Sequence, residues 1–197
     1  MRYRPRRLVL TFSAVMSLTA VFTSSPRAAN ECAALRAWAR PYADKSPTLA
    51  ELTAFDGGRQ HAIFAALAPA ARVSLWREHL GALARRPDFT PSQRAAAAEL
   101  RAVVVPEIYT KGSPAQDGAR ALWTAREGLF PGLAQRRAFL VLGASPVAPA
   151  TQTNWCDCDA IYGQSQCYPL VCGPPNGCFR LDGCGFSGMD PCTRKCQ

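Results

Sequence analysis

Residues 73–104 read VSLWREHLGALARRPDFTPSQRAAAAELRAVV, and they decide the fold of the chain's middle. Val73, Trp76, Leu80 and Leu83 fall at i, i+3, i+7 and i+10, a single apolar stripe on a 3.6-residue helix. Arg86-Pro87 stops that helix, because proline cannot donate into the ladder and restrains the residue before it. Thr90-Pro91-Ser92-Gln93 then starts the next one: an N-cap hydroxyl, a proline at the first helical position, and a glutamine placed to close a capping box.

The same punctuation recurs on both sides. Ser113-Pro114-Ala115-Gln116 repeats the start, and Ser46-Pro47 is a weaker form of it. Ala119, Leu122, Trp123 and Leu129 make a second stripe, while Gly57-Gly58, Arg86-Pro87 and Lys111-Gly112 separate elements as turns. Five to six short helices are predicted, near 31–42, 47–55, 59–68, 70–85, 91–109 and 114–142, the last broken near Phe130-Pro131-Gly132. Residues 30–143 are therefore expected to form a small all-α domain with a modest core.

That domain shows no chemistry in its sequence. His61 and His79 are its two histidines, far apart and without a third ligand nearby, so no metal site is expected. His79 is expected at a polar rim beside Glu78, and His61 in a surface turn. No G-x-S-x-G or comparable signature joins a nucleophile to a base. The expectation is that the protein is not an enzyme and needs no cofactor.

Before the helices, Arg2, Arg4, Arg6 and Arg7 precede the apolar run Leu8–Phe22 and the small residues Thr23, Ser24, Ser25, Ala28 and Ala29. Charge, apolar run and small residues in that order read as a secretory signal over 1–29, which uses the export machinery. As a helix the run spans roughly 22 Å, short of a hydrocarbon core. Pro26 and Arg27 leave the cleavage point open, and Cys32 lacks the small apolar approach of a lipoprotein cysteine.

After the helices, residues 144–153 (ASPVAPATQT) hold two prolines and no charge, an extended linker that a maturation protease could reach. Composition then changes abruptly. Cys156, Cys158, Cys167, Cys172, Cys178, Cys184, Cys192 and Cys196 crowd the tail 154–197, leaving Cys32 as the odd one of nine. The tail's few sizeable apolar residues cannot offset the cost of ordering it, so cross-links must help. Outside the reducing cytosol these eight are expected as four disulfides in a small loop/β module, secreted with the chain. Their pairing is open among 105 possibilities. A zinc site is disfavoured because the tail has no histidine. Thiol–disulfide exchange through Cys156-Asp157-Cys158 is disfavoured too, because Asp157 and Asp159 raise the thiol pKa values.

The whole chain of 197 residues has a net charge of +9 and a pI near 9.4. Distributed by segment, the basicity belongs to the signal arginines and to residues 30–153, at +5. The tail carries −1. A basic average without a clustered basic face gives no nucleic-acid footprint.

The tail resembles the bacteriocin fulvocin C-related proteins in Asn154-x-Cys156-x-Cys158, in Cys167-Tyr168-Pro169-Leu170, and in Gly183-Cys184-Gly185 followed by Gly188 and two last cysteines. The middle is similar at Ser74-Leu75-Trp76-Arg77-Glu78-His79-Leu80 and at the Thr90/Gln93 helix start. The final pair, Cys192-x3-Cys196, is wider than the family pattern. The resemblance implies an exported precursor of a disulfide-rich antibacterial peptide, with the helical part as pro-region or carrier. The alternative is an intact secreted module whose tail recognises a cell-surface ligand. Either way the partner is a target-cell envelope or a surface receptor. Trp155, Tyr162, Tyr168, Phe179 and Phe186 are expected as its contacts, since so small a body cannot hide them all.

Overall fold

The computed structural model describes residues 26–55, 57–143 and 182–191. Seven α-helices make up nearly all of it: α1 Pro26–Ala39, α2 Leu49–Thr53, α3 Gly57–Ala66, α4 Pro69–Ala84, α5 Pro91–Ala102, α6 Pro114–Arg126 and α7 Leu133–Leu140. Short 3-10 turns follow α1 (Arg40–Tyr42), α5 (Pro106–Tyr109) and α6 (Glu127–Leu129). Strands β1 (Asp182–Cys184) and β2 (Asp190–Pro191) pair antiparallel through an irregular register. The all-α expectation for the middle holds.

Local chemistry sets most boundaries. The Thr90 hydroxyl accepts from Gln93 N at 3.2 Å and Gln93 Oε1 accepts from Thr90 N at 2.9 Å, a complete capping box. Ser113 Oγ accepts from Gln116 N at 3.1 Å, but Gln116 Oε1 takes its proton from Gly112 N, one residue earlier than a box requires. The Ser46-Pro47 start is corrected to Thr48, whose hydroxyl accepts from Glu51 N while Glu51 Oε2 accepts from Thr48 N. Gly57-Gly58 is not a turn between helices; it opens α3.

The predicted 91–109 helix divides. Val103, Val104 and Val105 are β-branched and precede Pro106, which pushes Val105 to an extended φ of −126° and ψ of 161°. The chain resumes only as the 3-10 turn Pro106–Tyr109. The break expected at Phe130-Pro131-Gly132 separates α6 from α7. Val73, Trp76, Leu80 and Leu83 are all buried, as their stripe predicts, whereas Leu129 lies in a 3-10 turn and is 39 % exposed.

α4 and α5 form the central pair, with the Pro106–Tyr109 turn against α4 and α6, α6 against α5, and α3 against α1. The core continues past them. Phe186 and Met189, from the loop between β1 and β2, belong to the same buried cluster as Trp76, Trp123 and Phe139. β1 also packs on α3.

Candidate functional site

The site is an aromatic slot that the helices build and the loop Gly185–Met189 fills. Its floor begins with Trp123 of α6, a fully buried ring that stacks on Phe130 and Phe139, at centroid distances of 6.4 and 5.5 Å. Phe130 and Phe139 in turn approach to 4.3 Å. Phe186 extends this column: its ring is parallel to Trp123, 5.7 Å away with an interplanar angle of 1°. Offset stacks of this kind add about 0.5–1.5 kcal/mol to what area burial supplies.

The walls come from α3, α4 and the turn after α5. Phe64 meets Tyr109 edge to face at 6.1 Å. Arg72 holds that pair from behind. Its Nε donates to Leu67 O at 2.9 Å and its Nη2 to Ala65 O at 2.6 Å, satisfying the carbonyls that the end of α3 leaves open. Its guanidinium lies 5.4 Å from both ring centroids. Tyr109 then donates its hydroxyl proton to Ser187 O at 2.9 Å. Burial pushes that phenol far above its usual pKa, against a smaller opposing pull from Arg72, so it stays a neutral donor.

The loop has the backbone such a slot demands. Gly185, Ser187 and Gly188 have φ of 71°, 54° and 66°, in the left-handed region. At Gly188 a β-carbon would sit 2.8 Å from Phe64 Cε1 and 3.1 Å from Trp76 Nε1, so only glycine passes between those rings. Ser187 is the one non-glycine residue in that region among the described residues, and it is fully buried. Its hydroxyl, like Trp76 Nε1 and Trp123 Nε1, finds no hydrogen-bond partner among the described residues. Each such group costs about 1–3 kcal/mol.

Of the aromatics expected to contact a target, Phe186 is 0 % exposed in the intact chain, inside the helical core. Trp155, Tyr162, Tyr168 and Phe179 lie outside the described residues, as do seven of the eight tail cysteines, the linker 144–153 and the signal's Arg2–Ser25. Cys184 ends β1, and Cys32 lies within α1.

Both histidine placements are corrected. His79 is buried under α7, its Nε2 donating to Ala138 O at 2.6 Å, with its ring 5.5 Å from Trp76. Desolvation lowers its pKa more than the Ala138 carbonyl and Glu78 raise it. His61 sits on helix α3, not in a turn, and desolvation lowers its pKa to about 4. The expectation for His79 did not allow for a partner on a helix 59 residues away.

A second feature is an open groove of about 520 Å³ lined by Tyr42, Lys45, Glu51, Leu52, Phe55 and Ile63. Trp38, Tyr42 and Phe55 cluster at its edge, with centroids 5.7–6.0 Å apart. Its carboxylate, Glu51, is committed to the Thr48 cap, with the Thr48 N–H and hydroxyl both donating to Oε2. Among the described residues no set of groups converges there for chemistry.

The slot's residues were not legible as a site. Phe64, Trp76, Tyr109 and Trp123 read as ordinary core positions. The one clue was Gly185-Phe186-Ser187-Gly188, a single aromatic between glycines. Comparison with protein-family models, with curated proteins and with solved structures finds no match for this chain.

Proposed function

We propose that the protein is the exported precursor of a disulfide-rich antibacterial peptide, resembling the bacteriocin fulvocin C-related proteins. Residues 154–197 are the active part, cross-linked through Cys156, Cys158, Cys167, Cys172, Cys178, Cys184, Cys192 and Cys196. The helical body is the carrier. The observation that supports a carrier role is the burial of Phe186 on Trp123: the intact chain covers an aromatic that a released peptide exposes. The peptide has a slightly negative balance, so its action on a target-cell envelope or surface receptor rests on aromatic and shape contacts rather than on attraction to anionic lipid. No catalytic step and no cofactor enters this reading.

The same burial favours one other reading, an intact secreted module in which helices and tail work as a single body. The mass of the protein recovered from the medium separates the two, before and after thiol alkylation. A released tail with no alkylatable sulfur, inhibiting related strains, supports the precursor. A single species retaining both parts, with no inhibition across a broad panel, rejects it.

A further inference from the structure

The loop Gly185–Met189 behaves as a ligand of the helical body. β1 and β2 pair at its base and close it into a hairpin tip. Its contacts come from four separate parts of the helical chain: Phe64 of α3, Trp76 of α4, Tyr109 of the turn after α5, and Trp123 of α6. α7 also touches it. These groups recognise three different things. Trp123 reads an aromatic ring, the Tyr109 hydroxyl reads a backbone carbonyl, and the Phe64–Trp76 gap reads the absence of a side chain at Gly188. Together they specify the order aromatic, any small residue, glycine.

We propose that residues 26–143 form a receptor for the chain's own Gly185–Met189 loop, so that a cut in the 144–153 linker leaves a noncovalent two-piece complex rather than a free tail. Cleavage then prepares release without causing it. Release requires a competing surface that takes Phe186, which ties the tail's freedom to arrival at its target. The inference deepens the precursor reading but is measured without any killing assay, so the two fail separately. Nothing in the docking needs a disulfide between the pieces.

The test uses the oxidised, secreted chain with Cys32→Ser, so that the odd cysteine cannot link the pieces, and a specific protease site placed in the linker. After cutting, gel filtration at about 1 μM reports whether the pieces travel together, the expected outcome for a complex of submicromolar Kd. Phe186→Ala is expected to weaken the complex at least a hundredfold, or roughly what loss of a core phenylalanine entails. Tyr109→Phe keeps the ring and removes one hydrogen bond. It is expected to fold as the parent does and to weaken the complex about fivefold. Separation of the parent pieces at that concentration overturns the proposal. So does a complex that Tyr109→Phe and Phe186→Ala leave equally tight.

Discussion

Gly188 shows how much a single residue can decide. Its left-handed φ and the ring edges on either side both exclude a β-carbon. Gly188→Ala is therefore expected to destabilise the oxidised protein by about 2 kcal/mol or more, read from urea unfolding. An unchanged midpoint would show that the loop does not sit between Phe64 and Trp76. The histidines act at the same scale and through pH. Both have folded pKa values below the ordinary 6.5, so the unfolded chain binds more protons between that value and the folded one. Stability is present in full above about pH 6.5 and declines as pH falls below it, for His61 down to about 4, by about 1.4 kcal/mol per unit for each histidine fully engaged. Urea titrations between pH 7.5 and 4.5 read this, and His61→Asn should flatten the slope. Sequence could not place either ring. The pattern around His79 records its own helix, whereas the carbonyl that orients it belongs to Ala138.

Elements were legible where the signal is local. Thr90 and Gln93 meet within one turn, so their reading required no knowledge of the fold, and both halves of the box are present. Gln93 then does something the motif does not announce: its Nε2 donates to Leu129 O at 2.8 Å, tying the start of α5 to the turn after α6. Gln93→Ala removes the cap partner and that tether together, an expected loss of about 1–3 kcal/mol in thermal or urea unfolding. Gln93→Glu keeps an acceptor for Thr90 N and loses the donor, so it should fall between the two. The missed break after Ala102 has the opposite origin. Three valines are apolar enough to sustain a helical stripe, and only their branching, added to Pro106, argues for an extended exit. Apolar pattern alone continues the helix there, and backbone preference ends it.

For the whole molecule, composition divides the chain at residue 143, and packing does not respect that division. The linker and the sudden wealth of cysteine suggest two bodies, yet Phe186 and Met189 complete the core that the helices begin. Composition is summed along the chain, whereas burial joins residues such as Trp123 and Phe186 whose separation no periodicity records. One cooperative unit follows from this. On heating the oxidised chain, the helical signal and the near-ultraviolet aromatic signal should vanish together, because the stacked column runs through helix and loop alike. With the tail cysteines paired as proposed, reduction should move that one transition to lower temperature, since the hairpin that presents the loop loses its restraint. Phe186→Ala should shift it similarly without reduction, by the equivalent of about 3–5 kcal/mol. Two resolved transitions, with the aromatic signal lost first and the helices unmoved, would mean that the loop is a passenger on a self-sufficient helical body.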